Sequence, residues 1–201
     1  MKTLLLLISL SAALAAQTTL TLSGPATARP GQSIDLVLSL AAPGPRPAGL
    51  QWTLELPAGA TAAAQAGAAA VAAEKTLYCS EQATLCLLAA LNQTTMAPGE
   101  VGKYTVTVPS TAAKGLYQIP LSGVMAASAQ AVAQPIAPGP VYEIRVLARS
   151  DLNGDGVTNM ADLQLILDQV FGRSPCSDDQ NGDGRCDLLD VLLVVRGALD
   201  Q

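Results

Sequence analysis

The stretch "DLNGDGVTNMAD", Asp151 to Asp162, returns after 28 residues as "DQNGDGRCDLLD", Asp179 to Asp190. A twelve-residue loop that wraps a hard cation places its oxygen ligands at positions 1, 3, 5, 7, 9 and 12. In the first copy these are Asp151, Asn153, Asp155, the Val157 carbonyl, Asn159 and Asp162. In the second they are Asp179, Asn181, Asp183, the Arg185 carbonyl, Asp187 and Asp190. Gly156 and Gly184 fill position 6, where the chain turns sharply and a side chain would intrude. Neither copy lacks a ligand, and two copies in matched register argue against a chance Asx/Gly-rich turn. Two Ca2+ ions are expected, one in each loop.

The flanks of the loops decide the architecture. Before Asp151 runs "VYEIRVLARS", where Tyr142, Ile144 and Val146 alternate with Glu143 and Arg145 as in a strand, so the entering helix of an EF-hand is missing. After each loop comes a helical run: Leu163, Ile166, Leu167 and Val170 keep i, i+3, i+4, i+7 spacing, and Val191, Val194, Val195 and Ala198 are their counterparts. A pair of EF-hand-like loops, each followed by a helix, resembles a type I dockerin, the module that plugs into cohesins in cellulosomes. The resemblance covers Asp151 to about Leu199. It implies calcium at all twelve ligand positions, with Asp at position 12 as is usual in dockerins. The partner-binding positions depart from the family, with Met160 and Ala161, then Leu188 and Leu189, where a Ser/Thr-like pair is common.

The preceding residues read as a sandwich. Ile34, Leu36, Leu38 and Leu40 alternate with Asp35, Val37 and Ser39; Trp52, Leu54 and Leu56 with Gln51, Thr53 and Glu55; Tyr104, Val106 and Val108 with Lys103, Thr105 and Thr107. With "TLTL" near 18 to 22, Leu77 to Cys79, Thr84 to Leu91, Leu116 to Ser122 and Val141 to Leu147, about eight strands are predicted between Pro/Gly turns. The segments "RPGQSIDLVLSL", "GLQWTLELP", "GEVGKYTVTVP" and "KGLYQIPLSGVMAAS" are similar, in order, to those of a cohesin sandwich. Ala58 to Ala73, nearly all Ala, Gly, Thr and Gln, departs from that pattern and is expected to be a loosely packed helix or loop at one end. The expected fold class is mainly β with a small α tail: a cohesin-like antiparallel β-sandwich at 16–148, then a dockerin-like calcium module at 149–201.

Residues 1–15 read as a secretory signal, with Lys2 ahead of the apolar run Leu4 to Leu10 and Ala13-Leu14-Ala15 as a cleavage site. No later stretch approaches the roughly 18 uninterrupted apolar residues of a membrane span. Four cysteines in a secreted chain are expected to form two disulfides, and of three pairings proximity favours Cys79 with Cys86 and Cys176 with Cys186. Net charge is −5, divided as eight basic and six acidic residues before Asp151 and three basic and ten acidic from there on. An acidic tail disfavours nucleic acid and anionic lipid as partners.

The inventory argues against catalysis. The 201 residues include no His, which removes Ser-His and Cys-His pairs, and Asp35, Glu55 and Glu143 sit on predicted outward strand faces as surface charges. Aromatic residues are 3% of the chain, too few for a sugar platform, and Trp52 is in register with core leucines. Asn92-Gln93-Thr94 matches a glycosylation sequon and is read as a chance match. The expected function is non-catalytic attachment outside the cell or at its surface, with a cohesin-like protein or a second copy as partner. Two alternatives stay open: an accessory part in polysaccharide degradation, which the dockerin resemblance implies, and a structural module that only caps its own sandwich.

Overall fold

The computed structural model describes residues 17–200. The secretory signal expected at 1–15 lies outside them. The elements in chain order are β1 (Thr18–Ser23), β2 (Thr27–Ala28), β3 (Ser33–Ala41), β4 (Gly49–Leu54), β5 (Thr61–Ala66), α1 (Ala68–Ala72), β6 (Thr76–Cys79) and β7 (Leu85–Ala89). They continue with β8 (Gly99–Thr107), β9 (Gly115–Ile119), β10 (Leu121–Ala127), β11 (Ala133–Gln134), β12 (Ile136–Pro138), β13 (Tyr142–Val146), α2 (Met160–Val170) and α3 (Leu188–Leu199).

Period-two patterning does what it predicts. In β3 the residues Ile34, Leu36, Leu38 and Leu40 are buried, while Asp35 faces out and accepts a hydrogen bond from the Thr105 hydroxyl at 2.8 Å. Two five-stranded sheets result, β12-β1-β3-β8-β5 and β11-β10-β4-β7-β6, with a smaller sheet β2-β13-β9 at one end. Their apposed faces share one core in which Trp52, Leu36, Leu54, Leu88 and Tyr104 are buried. Because Trp52 and Tyr104 carry polar tips, each needs a partner inside. The Trp52 Nε1–H donates to the Tyr104 hydroxyl at 2.6 Å, and that hydroxyl contacts Cys86 Sγ at 3.2 Å.

Both favoured disulfides are formed. Cys79 and Cys86 are direct cross-strand neighbours in the β6–β7 hairpin, and Cys176 is joined to Cys186 across the second acidic loop. The sequon asparagine is a structural strut. Its Nδ2 donates to the Ala73 and Glu74 carbonyls, both at 3.3 Å, and its Oδ1 accepts from the buried Lys75 Nζ at 2.5 Å.

The alanine-rich segment corrects the expectation for Ala58 to Ala73. Thr61–Ala66 is strand β5, paired along its length with β8, and only Ala68–Ala72 is helical. Alanine has poor strand propensity, so backbone pairing and small size decide here. Gly67 turns the chain against β8, where a Cβ would lie 2.5 Å from the Glu100 carbonyl oxygen. A second difference is at Leu116 to Ser122, where Pro120, which has no N–H to donate, separates β9 from β10.

Candidate functional site

The two acidic loops fold alike, hydrogen bond for hydrogen bond. In the first, Asp151 Oδ1 and Oδ2 accept from the Gly154 and Gly156 N–H groups, both at 2.8 Å. Asp179 does the same with Gly182 at 2.7 Å and Gly184 at 2.6 Å. Asn153 and Asp155 then accept from the N–H two residues on, at 2.9 Å each, and so do Asn181 and Asp183. The glycines at positions 4 and 6 make this possible with φ of +79° and +96° in the first loop and +82° and +84° in the second, a region a side chain would strain. Hydrogen bonds to the charged form, Val157 N–H first, hold the Asp155 carboxyl below the usual range. The Gly184 N–H is the main cause of the same effect on Asp179.

Positions 9 and 12 start the helices. Asn159 and Asp187 cap α2 and α3 by accepting from Ala161 and Leu189 N–H at 2.7 Å, and Asp162 and Asp190 return a bond to the cap N–H at 2.8 Å. These are reciprocal capping boxes, which fix where each helix begins. Asp162 and Asp190 are wholly buried and also accept N–H groups from positions 2 and 3 of their loops. Among the described residues no cationic side chain is paired with either.

All twelve positions expected to supply ligands lie in two compact loops, with Asp151, Asp162 and Asp190 buried, Asp179 and Asp187 half-buried, and Asn153, Asp155, Val157, Asn159, Asn181, Asp183 and Arg185 exposed. The donors are oxygens only, the chemistry of a hard cation such as calcium, and a buried carboxylate without a counter-charge is costly to keep. The carboxylates are turned onto backbone N–H groups. Among the described residues no three acidic, His or Cys side chains converge into a metal-holding group.

Two apolar faces lie uncovered. On the outer side of the second sheet, Tyr78 pairs with Leu87, Leu87 with Gln51 and Gln51 with Met125, one row across four strands. Tyr78 is 59% exposed, Met125 58% and the adjacent Leu85 48%, and strands β4, β6, β7, β10 and β11 contain no charged residue. The signal for this face was in "LCLL", apolar on both sides of one strand, where a half-solvated strand alternates. On the tail, α3 packs on α2 through Val194 and the half-buried Val191, while Leu188, Leu189, Leu192 and Leu199 are each more than half exposed.

No family model matches the chain. Nor does any curated protein. Solved structures do match: a non-cellulosomal cohesin from the archaeon Archaeoglobus fulgidus has a TM-score of 0.51 at 13% identity, covering 69% of this chain and 96% of its own. The third ScaB cohesin of R. flavefaciens, in complex with a group 1 dockerin, has a TM-score of 0.54 at 13% identity, with coverage of 67% and 97%. The sandwich is cohesin-like. At that identity the likeness is one of fold, and the cohesin-like sandwich brings no catalytic or ligand residues with it.

The tail is fastened to the cohesin-like sandwich. Arg29, after β2, donates to the Leu152 carbonyl and pairs with Asp178 at 3.4 Å, while Arg149, in the segment that joins the two parts, donates to the Gln180 carbonyl at 3.0 Å. Ser150 meets the Thr158 hydroxyl at 2.9 Å and abuts Gly197 of α3, where a Cβ would collide with it. Neither arginine stands in a sequence motif that singles it out.

Proposed function

We propose that this chain is a secreted, non-catalytic attachment protein whose tail is a dockerin-like module folded around two calcium ions. The observation that carries the attachment reading is the pair of uncovered, charge-poor apolar faces, one on the cohesin-like sandwich and one on α3. Exposed apolar patches of this kind in a folded protein mark surfaces that meet another protein. The R. flavefaciens neighbour was solved with a dockerin bound; by analogy the partner here is a dockerin-type or cohesin-type protein, or a second copy of this chain.

For calcium, the support is the donor set and the buried Asp162 and Asp190, each surrounded by neutral N–H groups and no cation. Asp151, Asn153, Asp155, the Val157 carbonyl, Asn159 and Asp162 would hold one ion, and Asp179, Asn181, Asp183, the Arg185 carbonyl, Asp187 and Asp190 the other. The two disulfides fit an oxidising compartment. A specific observation also favours the capping reading, since Arg29 of the sandwich binds the tail at the Leu152 carbonyl and at Asp178. The two roles are compatible, because those contacts leave the outer side of α3 free.

Size-exclusion chromatography with light scattering, in calcium and in chelator, tests the reading. Association that needs calcium and is lost in both Leu87→Asp and Leu192→Asp supports it. A monomer under all conditions that also fails to capture any isolated cohesin or dockerin module would sink it.

A further inference from the structure

One peptide unit in each loop is gripped from both ends. In the first, the Leu152 carbonyl accepts from Arg29 while the N–H of the same peptide, on Asn153, donates to Asp162 Oδ1 at 2.9 Å. In the second, the Gln180 carbonyl accepts from Arg149 at 3.0 Å while the Asn181 N–H donates to Asp190 Oδ1 at 3.2 Å. Position 2 of these loops supplies no ligand, so the carbonyl is free to serve as a handle. Planarity of the peptide then ties the direction of the N–H to that of the carbonyl. Each arginine thereby sets the N–H that orients the buried carboxylate at position 12.

The arrangement repeats across the 28-residue period although its two donors do not. Arg29 comes from the sandwich and Arg149 from the segment joining it to the tail, with no sequence relation between them. Two unrelated residues delivering the same bond to equivalent atoms is what a shared positional role produces. We propose that Arg29 and Arg149 are positioning residues for the two ion loops, each serving one loop, so that, through Arg29, cation binding in the first loop and docking of the tail on the sandwich strengthen each other. The inference rests on the calcium reading above. Linkage requires the effect to run both ways: what Arg29 adds to ion affinity in the first loop, that ion adds to docking.

The test is a calcium titration of the full chain followed by amide NMR. Gly156 and Gly184 report separately, because each N–H is bonded to the first aspartate of its own loop, at 2.8 and 2.6 Å. Arg29→Ala is expected to weaken the site reported by Gly156 about tenfold, the scale of one charge-assisted hydrogen bond, and to leave Gly184 within about twofold. Arg149→Ala should do the reverse, and either Arg→Lys should restore part of the loss. Asp178→Asn removes the ion pair of Arg29 but keeps its bond to Leu152, and should leave the first loop near wild type. Equal weakening of both loops by either variant, or wild-type affinity in both, overturns the proposal while the ion reading stands. If the wild-type chain shows no calcium response at either glycine, the ion reading fails and this proposal falls with it.

Discussion

Tyr104 is the residue whose surroundings make the clearest demand on pH. Burial in the core, only partly offset by the bond from Trp52, pushes its hydroxyl up to about 12, from an ordinary value of 10.0. The unfolded chain would release that proton near pH 10 and the folded chain would hold it. Stability is thus fully present below pH 10 and is lost as pH rises towards 12, by roughly 2 to 3 kcal/mol over that window. An alkaline stability curve from denaturant melts, read by Trp52 fluorescence, should be flat to about pH 10 and then fall; Tyr104→Phe should flatten the fall. In the loops the same scale predicts an order of affinity. Formal ligand charge is −3 in the first loop and −4 in the second, so the second should bind calcium more tightly, and Asp187→Asn should erase the difference in a calorimetric titration. Tighter binding after that substitution would contradict it.

Among the elements, α3 separates what packing requires from what it leaves over. Val194 is wholly buried and Leu192 is 62% exposed, two residues apart on one helix. Asp at 194 should abolish the helical dichroism of the tail, at a cost of several kcal/mol for a buried unpaired charge, whereas Asp at 192 should preserve it and abolish only association. Loss of helicity in the Leu192 variant would show that the outer side is covered. The turn at Gly67 makes a similar demand of the sandwich. Gly67→Ala should lower its melting temperature by several degrees, since the obstacle is β8 backbone and not a side chain that can swing away.

These elements also show what a sequence can and cannot disclose. The alternation in β3, β4 and β8 and the matched register of the two acidic loops are local patterns, and each was readable as written. Strand β5 was not, because "TAAAQA" has no periodicity, and only pairing with β8, some forty residues on, makes it a strand. Arg29 was hidden for the same reason: its partners, Leu152 and Asp178, lie more than a hundred residues away. The uncovered sheet face needed the register of four strands before its row of Tyr78, Leu87, Gln51 and Met125 could be assembled.

For the molecule as a whole the question is how its two parts share stability. The sandwich has a large core, whereas buried apolar residues of the tail are few, chiefly Leu152, Ile166 and Val194. A core that small is marginal without metal or crosslink. Chelation should therefore melt α2 and α3 and leave Trp52 fluorescence unchanged. If the loops hold calcium as proposed, each ion at free calcium a hundred times the dissociation constant would contribute about 2.7 kcal/mol to the folded tail. Helicity that survives chelator in the oxidised protein but disappears on reduction would transfer that role to the Cys176–Cys186 bridge.

Strand β1 gives this architecture a timetable. One of its neighbours, β3, follows soon after in the chain with only the short β2 between them, but the other, β12, is built from Ile136 to Pro138 and runs parallel to it. A chain made or exported from its N-terminus holds that edge of β1 open until nearly the whole sandwich has emerged, since Thr18 finds its partner only at Ile136. Contacts so distant in sequence close slowly, and an open edge strand is a template for pairing with another chain. The interval before β12 arrives is when nascent copies are most exposed to joining strand to strand, and the three residues of β12 act as the latch that ends it.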